Sequence, residues 1–201
     1  MKTKFLRDKI VRAAALALIA VTAVFALLAC APKDNVKPDN KPKTLEDLAS
    51  DYTTSVASVK TVTSTVIYKD GETAVYSAET VYAFTADDKA NVTETVTELD
   101  MMAFENKQTT SAVVKDVKKT DMVAVNLKGS LMDVGYTVSN EEVSGNVSGE
   151  ENIKQFVGDS IPVFGELTFS VKFENGKVSL VKYSFVTERQ RNAEVTYVYT
   201  Y

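Results

Sequence analysis

Cys30 is the only cysteine in this 201-residue chain, and the chain contains no histidine. Without histidine, the commonest general base and metal ligand near neutral pH is missing. One thiol forms no internal disulfide and supplies at most one ligand to a zinc site. Ser-His and Cys-His catalysis are therefore excluded by inventory. Carboxylate pairs remain at Asp87-Asp88, Glu141-Glu142 and Glu150-Glu151. Acid chemistry of the glycosidase kind needs one carboxyl raised by an apolar pocket, but each of these pairs lies among polar, Asn- or Gly-containing neighbours typical of solvated turns. No loop alternates oxygen ligands about a central glycine, as a calcium site would. The expectation is a protein that is not an enzyme, with no catalytic residue, no metal and no cofactor.

Side chains suited to an apolar ligand are easier to find. The run Met101-Met102-Ala103-Phe104 is joined by Met122 and Met132. Methionine adapts to irregular apolar shapes, which makes Met101, Met102, Phe104, Met122 and Met132 the candidate ligand-binding residues. Plain core packing is the competing reading for the same five. Tyr197, Tyr199 and Tyr201 alternate at the end of the sequence and suit either an exposed contact stripe or sheet packing.

The surroundings of Cys30 give its thiol a specific chemistry. Lys2, Lys4, Arg7, Lys9 and Arg12 precede an apolar stretch from Ala13 to Leu28, the layout of an export signal, with Asp8 the one discordant charge. Leu27-Leu28-Ala29-Cys30 resembles the lipobox of bacterial lipoproteins: Ala29 is the small residue before the cysteine and Leu27 the leucine three positions before it, while Leu28 departs from the small or β-branched residue commoner there. The resemblance implies cleavage of residues 1–29, a diacylglycerol on the Cys30 thiol with palmitate-like acyl chains, and anchorage of the mature protein on the outer side of the cell membrane. The outer membrane stays open if the host has two membranes, because Ala31 is not the aspartate that retains some lipoproteins in the inner one. Two other readings compete: ordinary secretory cleavage beside an unmodified cysteine, and an uncleaved anchor over Ala13 to Ala31. All three place residues 44–201 outside the cytoplasm.

Charge follows the same division. The stated net charge of −4 includes five cations and one anion from residues 1–29, so the mature chain carries −8. Residues 30–43 read as the lipidated cysteine and a flexible tether, with Pro32, Pro38 and Pro42 set among lysines, asparagines and aspartates. The remaining domain, 44–201, is acidic and unsuited to nucleic acid.

The elements that must position any site follow from periodicity. Thr44 starts a helix with Glu46 and Asp47 in its first turn, and Leu45, Leu48, Ala49, Tyr52 and Val56 make one apolar stripe. From Lys60 the pattern changes to alternating Val, Thr and Tyr, the signature of half-buried strands. Asp70-Gly71 and Asn175-Gly176 predict two-residue hairpin turns. A change of phase predicts a bulge near Leu180-Val181. Strands are expected over Val92–Val96, Ser111–Val117, Met122–Lys128 and Leu131–Val138, and a second helix over Glu150–Val157. The interval from Thr44 to Asp70 equals that from Gly149 to Asn175, which raises an α-β-β-β repeat against chance. The fold class is α+β and mostly antiparallel β, a curved, half-barrel-like sheet of about eight or nine strands packed on two short helices.

A helix after a tether, followed by a Val/Thr-rich meander with Gly-containing hairpins, is similar to the LolA- and LppX-type lipoprotein carriers. That resemblance implies a half-barrel with an apolar cavity for acyl chains, and it assigns no individual binding residue. The leading expectation is a membrane-anchored protein that binds a lipid or other hydrophobic ligand in the concave face of the sheet. The alternative is an envelope structural or protein-interaction module with a packed interior. Replacing Cys30 by Ser (Cys30→Ser) is expected to abolish incorporation of labelled palmitate and to move the protein from the membrane fraction to the soluble extracytoplasmic fraction. Unchanged labelling and partitioning would sink the lipidated-anchor reading.

Overall fold

In a computed structural model the described residues are 42–100, 102–158, 161 and 163–201. The expected export signal 1–29, Cys30, most of the expected tether and Met101 lie outside them, and Lys41–Tyr201 form one compact unit.

Helix α1 (Leu45–Val56) begins at a reciprocal cap. The Thr44 hydroxyl accepts the Asp47 N–H at 3.2 Å, and the Asp47 carboxylate accepts the Thr44 N–H at 2.9 Å. Together they satisfy backbone donors that a helix start leaves orphaned. Leu45, Leu48, Tyr52 and Val56 are buried, so the apolar stripe read from spacing is the face that packs. Helix α2 (Glu150–Val157) turns Ile153 and Phe156 inward, with the Phe156 ring 4.7 Å from that of Phe169.

The strands are β1 (Thr61–Asp70), β2 (Thr73–Ala86), β3 (Lys89–Asp100), β4 (Glu105–Asp116), β5 (Thr137–Val138), β6 (Glu142–Ser148), β7 (Val163–Glu174), β8 (Lys177–Thr187) and β9 (Asn192–Thr200). They form one antiparallel sheet in the order β4-β3-β2-β1-β9-β8-β7-β6-β5. The sheet is open, with β4 and β5 as its edges, and β9 joins the two runs of consecutive hairpins at the centre. Asn175 and Gly176 form the β7–β8 turn at φ 53° and 74°, as a turn matched to strand twist requires. The β1–β2 turn lies one residue later than Asp70-Gly71 predicts. Asp70 pairs with Thr73, Gly71 takes the left-handed position at φ 58°, and a register shift after Tyr68 absorbs the difference.

The bulge expected near Leu180-Val181 falls at Ser179, between the pairs Phe173–Val178 and Lys172–Leu180. It puts both Val178 and Val181 on the core face. A bulge disrupts the ladder, and here side chains complete it. The Val178 N–H donates to Ser55 Oγ at 3.2 Å, the Ser55 hydroxyl donates to the Tyr52 carbonyl at 3.0 Å, and the Tyr201 hydroxyl donates to the Val178 carbonyl at 2.9 Å. The irregularity in β8 is thus one point where α1 is fastened to the sheet.

Residues 117–136 correct one expectation. Met122–Lys128 and most of Leu131–Val138 are not strands: the segment runs from one edge of the sheet to the other through two short 3-10 turns, Lys119–Met122 and Gly129–Leu131, and only Thr137–Val138 pair as β5. Val125, Leu127, Leu131 and Met132 are apolar because they pack against the core as irregular chain. Its backbone bonds to the elements beside it: the Asn126 N–H donates to the Phe156 carbonyl at 2.8 Å and the Asp133 N–H to the Asn146 carbonyl at 2.9 Å, while the Asp133 carboxylate accepts the Ser148 N–H and hydroxyl at 3.2 and 2.7 Å. Gly145 permits the close approach, since a Cβ there would lie 2.8 Å from Cβ of Tyr136.

The repeat is resolved by handedness. β3-β2-β1 and β9-β8-β7 read in the same order across the sheet, and both runs share one core face. Yet three antiparallel steps separate β1 from β7, so corresponding strands run in opposite senses. Units alike in order and face but opposite in direction are mirror images, which no duplication of an L-chain can give. The equal spacing is a coincidence of turn chemistry.

Replacing Ser55 by Ala is expected to leave the Val178 N–H buried without an acceptor and to cost about 1–3 kcal/mol. Urea unfolding would read this as a lower midpoint at unchanged slope.

Candidate functional site

Both helices lie over one end of the sheet. α1 packs against β8, and α2 against β6 and β7. The inner face of β1–β4 extends beyond them as a wing, and four cross-strand rows define its surface. The first is Tyr199-Val62-Tyr82-Val92-Val113, the second Tyr197-Ser64-Thr80-Glu94-Ser111, the third Val195-Val66-Ala78-Val96-Thr109, and the fourth Ala193-Tyr68-Tyr76-Glu98-Lys107. In the first row Tyr199, Val62 and Val92 are buried, and the chain returning from β4 is bonded to the β2–β3 turn through Val117 and Lys119. In the other three rows burial falls steadily from β9 to β4.

What remains open is a half-buried apolar and aromatic patch: Val66, Tyr68, Tyr76, Ala78, Tyr82 and Val96. The Tyr68 and Tyr76 rings are 5.6 Å apart at 42°. Glu94 and Glu98 stand on the β3 side of the patch. Partial burial raises the Tyr76 phenol, and the negative charges of Glu94 and Glu98 and the neighbouring Tyr68 push the same way. Burial raises Tyr82 too, with Tyr197 and Glu94 adding to it. The surface therefore offers apolar contact, neutral hydroxyls and two carboxylates on one margin. Such groups offer apolar contact and hydrogen bonding.

Two clefts lie elsewhere. One of about 410 Å³ follows the seam between α1, residues 123–128 and the end of α2. The other, about 320 Å³, is on the opposite face of the sheet and is lined by polar groups such as Lys69, Glu166, Asn192 and Glu194. Among the described residues no three of His, Cys, Asp or Glu gather as a metal ion would need, and no helix is long and apolar enough to cross a membrane.

The described residues singled out by sequence are not gathered at one site. Met102 and Phe104 stand at the tip of the β3–β4 hairpin, 93% and 80% exposed, with Phe104 at φ 52°. Met122 packs half-buried against the core and Met132 is buried within it, while Met101 and Cys30 lie outside the described residues. The wing patch was missed because its signal is the Val/Tyr/Thr alternation already spent on strands. Only the extent of helix cover separates open rows from core rows.

No family model matches the chain, and no curated protein matches it. Among solved structures, a redesigned β-barrel, mFAP1, bound to DFHBI aligns over 72% of this chain and 98% of its own length, at 9% identity and a TM-score of 0.24. A second redesigned β-barrel aligns over 72% of this chain and 94% of its own, also at 9% identity, with a TM-score of 0.22. At such scores the likeness carries no argument about fold or ligand.

The inner face also sets an alkaline limit. Burial raises Tyr52 from 10.0 to about 12 and raises Tyr199 further still. Below about pH 10 these phenols are protonated in both folded and unfolded chains. Between about pH 10 and 12 the unfolded chain loses protons that the native fold retains, so stability should fall across that window. Chemical denaturation at successive pH values checks this, and Tyr52→Phe should flatten the decline.

Proposed function

We propose that this protein is an extracytoplasmic lipoprotein, anchored through a diacylglycerol on Cys30, that holds a lipid or other hydrophobic ligand against the inner face of its β1–β4 wing. The observation carrying this reading is the row pattern of that wing, where Val66, Ala78 and Val96 continue an apolar row of the core onto a surface that no described helix covers. A contiguous, half-buried apolar face of this kind supports the reading, because hydrophobic partners bind where apolar side chains adjoin at the surface. The interior beneath the helices is packed, so the ligand lies on the open part of the curved sheet and not in a closed chamber. Glu94 and Glu98 at its margin suit an amphiphile with a cationic or zwitterionic head better than an anionic one.

The competing reading is an envelope interaction module. It is favoured by the packed core and by the exposed edge strand β4.

Native mass spectrometry of the full chain purified from cells, followed by organic extraction, tests the proposal. A stoichiometric hydrophobic passenger is expected. Tyr76→Ser combined with Val96→Ser should lower its retention roughly tenfold or more, because each removes apolar contact worth more than 1 kcal/mol when covered. A clean protein that also ignores added lipid vesicles would turn the search to protein partners.

A further inference from the structure

We propose that β4 is an interface between two copies of this chain, paired edge to edge and antiparallel about a two-fold axis at Thr110. Among the described residues β4 is an outer edge of the sheet, hydrogen-bonded on one side only, to β3. Every one of its 12 residues is exposed. A strand that buries neither face and leaves one row of N–H and C=O groups open is marginal by itself and is a template for another strand. Val113 and Val114 are 47% and 62% exposed there.

The pattern of charges on β4 points to an identical copy. Within an edge strand, outward-facing backbone groups belong to alternate residues, so a symmetric antiparallel pair must place a residue on its axis. With Ser111 on the axis, Lys107 faces Lys115 of the partner twice. With Thr109 on the axis, Lys115 meets only the hairpin turn at Ala103. With Thr110 on the axis, Glu105 faces Lys115 at both ends, Lys107 lays its stem over Val113, and Asn106 covers Val114. Within its own sheet Glu105 lies opposite Asp100 and Lys115 opposite Ala90. Like charges directly opposed are unfavourable, so a second copy supplies the cation that Glu105 lacks across β3. The same pairing gives each Lys115 an acid.

Sedimentation of the full chain in detergent tests this, with circular dichroism as the check on folding. A dimer that dissociates on dilution is expected. Glu105→Lys or Lys115→Glu alone should weaken it roughly tenfold, since each reversal turns two attractive pairs into repulsive ones. The double reversal should restore it. In a Cys30→Ser background, Thr110→Cys should oxidise to a covalent dimer and Ala112→Cys should not, because Ala112 faces Gln108. A monomer at all concentrations, a dimer indifferent to the single reversals, or a double variant no better than the singles overturns the proposal.

Discussion

A pair of buried phenols ties together three parts of the molecule inside their shared core. Tyr199 of β9 donates to the Met122 carbonyl at 2.8 Å, which leaves its oxygen to receive the Tyr52 hydroxyl of α1 at 3.1 Å. Tyr52 in turn accepts the Ala124 N–H at 2.7 Å. Helix, central strand and crossing segment are thereby held by groups that are 1% and 5% exposed, where an unmet hydroxyl or amide would be costly. No described buried side-chain polar atom lacks a partner. The crossing segment can remain irregular because these bonds replace those of a ladder.

That fastening divides the sheet. On one side of β1 the inner face is roofed by two helices and packs as core. On the other, the same alternation of Val, Tyr and Thr continues with no described helix above it. Apolar surface at the boundary is half-buried and contiguous, and the carboxylates begin where burial ends. Tyrosine suits such a position because its ring tolerates partial burial while its hydroxyl stays wet.

Much of this was readable in advance. The cap at Thr44, the stripe of α1, the extent of α2, the Asn175-Gly176 turn and the bulge in β8 are local patterns with local causes. The segment Met122–Lys128 misled because apolar residues at short spacing look alike in a strand and in chain pinned by tertiary bonds. Asp70-Gly71 marked the correct hairpin one residue early, since glycine serves in either turn position. The wing patch was invisible for a different reason: a half-buried strand reads the same whether a helix or solvent lies over it. Methionines were credited with a common cavity on composition, and composition does not say which of them share a neighbourhood.

The position of β9 has a consequence for how the chain reaches this state. It follows the other eight strands in sequence yet pairs with β1 and β8 at the centre of the sheet. The hairpins on either side can form as they emerge, but nothing joins them until residues more than a hundred positions apart have met. Sequence-distant closure of this kind slows folding. Under the export proposed above, a keystone that follows the other eight described strands would keep the earlier ones pliable during passage through a translocation channel.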